Sequence, residues 1–381
     1  MRKASYYDHF FYRAEDRALA AMMPSVRFLP DALLPERHST EMHAVHEPSD
    51  ELGLFLHEAA IFEYRDVLFA SWYTCPELEL SGATPIVGRR SYDGGRSWSE
   101  PEIIAEDKTG RILYCPPVYG VSDGKLYMLI NEMVGADLMH ALNLYVLDPE
   151  SDRFVLVWSR PIPFKLNTNV VTLSDGRLLL PGRIAELDGF PNTPAVLISD
   201  SGKIDAEWRL VRIAEDGNLP DGARLVHPEL TVIEEGGVLY MLCRDDERRV
   251  PLVYLSEDMG ESWSALHSHD IPLVGSKIYG GTLCDGRHYL VANEAMKTRF
   301  HREKLVVYLT KPHSMEIAEK VVLFDNEHNS LPKYTICHYP CVIEYRGELL
   351  VIATLDYRIE GRAPRPAEAI RGAVLFRVTL Q

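Results

Sequence analysis

An apolar segment, a tight polar or glycine turn and a second apolar segment recur along the chain. The copies read AAIFEYRDVLFASWY, PVYGVSDGKLYMLI, NVVTLSDGRLLLPG, ELTVIEEGGVLYMLC, GGTLCDGRHYLVAN and CVIEYRGELLVIATL. Short β-branched and aromatic runs flanking Asp-Gly or Gly-Gly predict two antiparallel strands joined by a hairpin. The turn residues Asp66, Gly124, Gly176, Gly237, Gly286 and Gly347 recur at intervals of about 50–60 residues. A third apolar run follows each hairpin (PIVGRRS, LNLYVLD, PAVLISD, PLVYLSE, LVVYLTK), and usually a fourth (WSEPEII, FVLVWSR, WRLVRI, WSALHSH, EKVVLF). Four strands repeated six times predict an all-β chain folded as a six-bladed β-propeller with four-stranded antiparallel blades.

The last unit has only three clear runs, ending in GAVLFRVTLQ. An N-terminal strand is expected to close this blade and remove the open sheet edges, and residues 25–30 (SVRFLP) are the expected donor. Residues 25–381 then form one propeller domain, preceded by an N-terminal arm or short helix over residues 1–24.

The octet SYDGGRSW, residues 91–98, returns as SEDMGESW, residues 256–263. Both copies fall between the third and fourth strands of a blade, at the outer rim. In such a turn Ser91, Asp93, Ser256 and Asp258 are expected to bond turn amides, Gly95 and Gly260 to supply a positive φ, and Trp98 and Trp263 to pack on the sheet. The octet therefore reads as scaffold, away from the central axis. It also resembles the Asp-box of the sialidase superfamily, with Ser in place of the usual Thr before Trp. Asp-boxes occur in propellers that are not sialidases, so the resemblance bears on fold more than on chemistry.

Composition narrows the function. The 381 residues are 46% hydrophobic and carry a formal charge of −16 with a pI near 5.4, which opposes a broad nucleic-acid or anionic-membrane surface. An anionic ligand must then be held by a local cluster of Arg. No secretory apolar run follows the N-terminus and no apolar stretch reaches the length of a membrane span, so a cytoplasmic location is expected unless a leader has been removed. Cysteines 75, 115, 243, 284, 337 and 341 include no CxxC and are expected to be reduced and buried. No metal site is expected, because His267 and His269 lie in an outer strand without further ligands. No cofactor is expected, because nucleotide-binding glycine motifs are absent.

Propeller ligands sit on the axis, where inner strands begin and second strands end. Those positions hold His57, Glu58, Trp72, Tyr73, Glu77 and Glu79 in blade one, and Cys115, Asn131 and Glu132 in blade two. Blade three offers Asn167, Asn169 and Arg183, and blade four His227, Glu229, Arg244 and Asp245. Blade five offers Asn293, Glu294, Lys297, Arg299 and Arg302, and blade six His338, Tyr339, Asp356 and Arg358. Recurrence of Arg, Glu, His and Tyr at one end of every blade marks a ligand site, and the sialidase resemblance implies that its partner is a carbohydrate.

The resemblance to sialidases assigns roles within this set. A carboxylate on the substrate's anomeric carbon repels a carboxylate nucleophile, so a neutral Tyr attacks while a neighbouring Glu takes its proton. The family pattern matches Tyr339 as nucleophile, Glu229 as base and Arg244 as a carboxylate ligand, with Arg299, or as second choice Arg302, as another. Arg183, His227, Asn293, Asp245 and Arg358 complete the expected substrate-binding set. Two family positions do not match. The Arg expected to open blade one is replaced by His57 and Glu58, and the acid Asp expected after the next strand is absent, leaving His57 or Glu77 as candidate acid. A missing charged hydrogen bond costs about tenfold to a hundredfold in binding, which Arg183 or a protonated His57 would offset. The resemblance implies an exo-glycoside hydrolase acting on an acidic sugar, sialic acid or a relative. Two alternatives stay open: a lyase on uronate-containing glycans using His57, His227, His338, Tyr339 and Arg244, and a non-catalytic glycan-binding propeller.

Overall fold

A computed structural model describes residues 25–39, 41–76, 79–80, 82–135, 138–184, 192–213, 225, 227–244, 252–295, 302–326, 335–357 and 370–380. Every regular element among them is a β-strand, and the strands form six antiparallel blades. Blade one consists of Phe55–Tyr64, Val67–Cys75, Ile86–Ser91 and Glu102–Ala105, and blade two of Leu113–Ser122, Lys125–Met133, Met139–Asp148 and Arg153–Arg160. The inner strand of blade three is split into Phe164–Leu166 and Val171–Thr172, followed by Leu178–Ile184, Thr193–Ser199 and Arg209–Arg212. Blade four runs through Leu230–Glu235, Val238–Cys243, Leu252–Ser256 and His267–His269, and blade five through Tyr279–Thr282, His288–Asn293, Lys304–Thr310 and Ile317–Asp325. Ile336–Tyr345, Glu348–Tyr357 and Ile370–Thr379 make blade six. The inner hairpins turn where the sequence pattern puts them. Arg65-Asp66, Asp123-Gly124 and Arg346-Gly347 each place two successive residues at positive φ, the geometry that matches the twist of a two-residue hairpin.

The closing strand differs from the expected one. Met42–His46 pairs antiparallel with Ile370–Thr379 and supplies the fourth strand of blade six. Ser25–Val26 instead runs parallel to His267–His269 as a fifth strand on blade four, and Glu36–His38 runs parallel to the outer strand of blade five. Two constraints select residues 42–46. The donor must lie antiparallel to the last strand, and only a short connection, residues 47–54, separates this segment from blade one. Phe28, from the expected donor, is buried between blades four and five, where Asp270 Oδ1 accepts its amide at 2.8 Å. The proposed arm over residues 1–24 lies outside the described residues.

Both octets form the same turn. Ser91 Oγ lies 2.8 Å from Asp93 Oδ1 and accepts the Gly95 amide, while the Arg96 and Ser97 amides donate to Asp93. Ser256, Asp258, Gly260 and Ser262 repeat this network. Gly95 has φ +88, and a Cβ there would lie 2.6 Å from Leu375 Cδ2, so both conformation and space demand glycine. Trp98 packs against the core that includes blade one and Trp263 against the core of blades three and four.

Asparagines stitch the inner strands together. Asn131 donates to Phe164 O and accepts the Leu166 amide, tying blade two to blade three. Asn167 accepts the Leu230 amide, tying blade three to blade four. Asn169 accepts the Tyr119 amide and donates to Ile61 O, so it reaches across the axis to blades two and one. Below Asn169, at the end of the channel where the inner strands finish, lies a cavity of about 350 Å³ lined by Phe62, Val170, Tyr279, Tyr289, Val342 and Glu344. Its walls are mainly apolar, and the ionisable cluster described next is at the other end. Five of the six cysteines are buried thiols as expected, but Cys284 is exposed in the blade-five turn, where its Sγ donates to Glu344.

Candidate active site

Hairpin register builds the first pair of the site. The two-residue turn at Gly236-Gly237 sets Leu230 opposite Cys243, and the next residues outward are Glu229 and Arg244. The Arg244 amide donates to Glu229 O at 3.0 Å, and Arg244 Nη1 donates to Glu229 Oε2 at 2.5 Å. Both side chains are buried, where a charged pair holds only with close geometry.

A bulge brings in the tyrosine. The inner strands of blades one, two and six each lose register near their start, between His57 and Ala60, Tyr114 and Pro117, and His338 and Cys341. Within two of these bulges Glu58 and Tyr339 hold φ +49 and +55, a conformation that costs a non-glycine residue about 1–2 kcal/mol. Bulges of this kind re-aim side chains next to active sites. Tyr339 is thereby turned so that its Oη accepts from Arg244 Nη1 at 2.6 Å. One guanidinium nitrogen thus bridges the phenol of blade six and the carboxylate of blade four.

Further groups surround the phenol ring. The His57 ring centroid is 4.0 Å from that of Tyr339, and His338 is at 5.3 Å. Arg302 Cζ, Lys277 Nζ and Arg244 Cζ lie 5.3, 5.7 and 5.9 Å from the ring centroid. Arg302 donates to Gly275 O and is hydrogen-bonded to His338 Nδ1, and Lys277 pairs with Glu58 at 2.8 Å. Arg371 pairs with Asp356 at 3.0 Å, and its guanidinium covers the Phe55 ring at 4.1 Å.

These charges set the protonation states. Burial alone would raise the Glu229 pKa, but Arg244, Lys277 and Arg183 outweigh it and bring it down to about 2. Burial, reinforced by Arg371, Arg302, Lys277 and Arg244, drives His57 well below the ordinary imidazole value. His57 is therefore neutral, which removes it as a protonated substitute for the absent arginine. For Glu229 the folded pKa lies below the unfolded one, so its stabilisation is present above about pH 4.5 and is lost as the pH falls towards 2. Thermal denaturation from pH 7 to 2.5 should show that loss in the wild type, with a shallower decline in Glu229→Gln.

Of the residues expected from sequence, Tyr339, Glu229, Arg244 and His57 come together. Arg183 approaches Glu229 from blade three, and His227 is half-buried two residues before Glu229. Glu77, Asp245, Arg299 and Arg358 lie outside the described residues. Asn293 donates its amide to Cys337 O and accepts from Ser276 Oγ, a staple between blades five and six. Sequence reading missed Lys277 and Arg371. Lys277 stands just ahead of an inner strand, a position already marked in other blades. Arg371 begins a third strand, which reaches the same end of the channel.

Residues 67–352 match the family of BNR repeat-like domains. The chain belongs to the BNR-repeat family. Among its relatives, a sialidase of Micromonospora viridifaciens is 26% identical over 236 residues, covering 59% of this chain and 30% of that protein. The chain thus spans under a third of that relative's length. Solved structures share the fold of this BNR-repeat chain. A protein of unknown function from Dyadobacter fermentans superposes with TM-score 0.68 at 12% identity, covering 90% of this chain and 99% of that one. The NanB sialidase of Streptococcus pneumoniae gives 0.62 at 12% identity, covering 89% and 70%. The Trypanosoma rangeli sialidase in complex with sialic acid gives 0.59 at 13% identity, covering 93% and 60%. At these identities the structural likeness speaks for the fold alone.

Proposed function

We propose that this BNR-repeat propeller is a retaining exo-glycosidase for an acidic sugar of the sialic acid type. The observation that carries the reading is the bridge from Arg244 Nη1 to both Tyr339 Oη and Glu229 Oε2. A phenol is a poor nucleophile until it loses its proton, and an ionised carboxylate is the base such a step needs. In the proposed sequence Tyr339 Oη bonds to the anomeric carbon as the bond to the leaving oxygen breaks. Glu229 takes the phenol proton, and water later releases the sugar with the original configuration. Arg302 and Arg371 supply charge for the substrate carboxylate, Arg371 delivering from blade six what the sialidase pattern puts at the start of blade one. The leaving oxygen is protonated from the loop after Val67–Cys75, which carries Glu77 and Glu79. Glu79 accepts from Tyr73 at 3.2 Å. The neutrality of His57 argues against the other candidate.

The test is an assay on aryl sialosides beside neutral aryl glycosides and a uronate-containing polysaccharide. Release of the aryl group from the acidic substrates alone supports the proposal. Absorbance from a new C=C bond with the polysaccharide would replace it with a lyase, and saturable sugar binding without product would replace it with a lectin-like role.

A further inference from the structure

Blade three brings two more cations to the same end of the channel. Lys165 lies directly opposite Arg183 in the ladder between Phe164–Leu166 and Leu178–Ile184, so both side chains project from one face of the blade. Arg183 is 3% exposed and Lys165 7%. Arg244, Lys277 and Arg371 are each paired with a carboxylate, whereas among the described residues neither Lys165 nor Arg183 joins an ion pair. Among the described residues the buried Arg183 Nε and Nη1 atoms meet no acceptor. Both residues are in electrostatic reach of the axial groups, Arg183 of Glu229 and Lys165 of the Cys115 thiol. A buried guanidinium without an acceptor is costly, and proteins retain such a group where a ligand completes it.

We infer that Lys165 and Arg183 form a second anion subsite, which takes an oxyanion carried by the substrate in addition to the carboxylate bound near Tyr339. The substrate class is then a doubly anionic glycan: an acidic sugar bearing a sulfate or phosphate ester, or one linked to a second acidic sugar. This rests on the glycosidase reading for the identity of the sugar, but the subsite itself rests only on blade three. A planar, forked guanidinium beside a flexible ammonium suits a tetrahedral or carboxylate oxyanion. The chain's overall negative charge gives no general attraction for such ligands, so their capture depends on these local cations.

Calorimetric titration of the full chain with sialic acid, an O-sulfated sialic acid, a disialic acid and inorganic sulfate tests the subsite. At least one doubly anionic sugar should bind about tenfold or more tightly than sialic acid. That ratio should fall to about one in Arg183→Met and in Lys165→Met. Which sugar shows it identifies the second anion as an ester on the sugar or the carboxylate of its neighbour. A ratio near one in the wild type, or one that survives both substitutions, overturns the subsite. If no sugar binds, the acidic-sugar reading fails and inorganic sulfate decides: binding about tenfold weaker in Arg183→Met supports the subsite, and equal binding overturns it.

Discussion

Tyr339→Phe is expected to reduce turnover of an aryl sialoside by roughly a thousandfold or more, with the Tm lowered by only a few degrees. The substitution removes one oxygen from a buried ring that otherwise keeps its contacts with His57 and His338. Arg244 loses the Tyr339 acceptor but retains Glu229, so the folding cost is that of one hydrogen bond, about 1–2 kcal/mol. The loss should fall on kcat rather than KM, because the phenol forms a bond only during the reaction. Steady-state kinetics with a parallel melting curve separates the two effects. Undiminished turnover would remove Tyr339 from the chemistry.

Arg244→Met is expected to be damaging in a different way. It leaves Glu229 as a buried carboxylate whose closest cation is gone, and breaking such a pair costs about 3–5 kcal/mol. It also removes the only group that touches both phenol and base in the described geometry, so activity should be lost with stability. The sign of the pH effect identifies the cause. Without Arg244 the Glu229 pKa rises, and protonation then relieves the buried charge. The gap in Tm between variant and wild type should therefore be wide at pH 7 and narrower near pH 4. A gap that is constant with pH would mean that lost packing, not the stranded carboxylate, destabilises the variant. Arg244→Lys should recover little, since one ammonium on a flexible stem does not reproduce a planar fork.

The fold was legible because its signals are local. Alternation of apolar residues and turns such as Asp123-Gly124 specify each hairpin from a dozen neighbouring residues, and six copies specify the ring. Glu229 and Arg244 were picked out by the sialidase resemblance, and the structure pairs them because a two-residue turn fixes which positions face each other. Closure of the ring was read two strands too early, because the apolar run at 25–30 is a strand signal whichever blade it joins. Strand propensity does not encode the partner. The asparagines illustrate a second limit. Asn131, Asn167, Asn169 and Asn293 occupy the positions that ligand-binding residues occupy, yet their amides already bond groups of their own and neighbouring blades. Sequence gives the residue type at the axis but not whether its hydrogen bonds are already used.

The bulge at Tyr339 was partly foreshadowed by Pro340, which has no amide to give to the ladder. At Glu58 no proline marks the bulge, and nothing in HEAA predicts it. Arg371 was hidden by topology. Its approach to blade one depends on the ring being closed, with the Arg371 amide donating to Leu54 O at 3.0 Å across the junction between the last blade and the first.

The measurement that tests the central claim most directly is the trapping of the sugar on the protein. A fluorinated acidic glycoside that forms the covalent intermediate quickly and hydrolyses it slowly would be incubated with the full chain. Intact-mass spectrometry and peptide mapping would then locate the adduct. The account predicts one sugar per chain, attached to the peptide containing Tyr339 and missing in Tyr339→Phe. Attachment to a carboxylate side chain, or turnover that yields sugar of inverted configuration without any adduct, would contradict it.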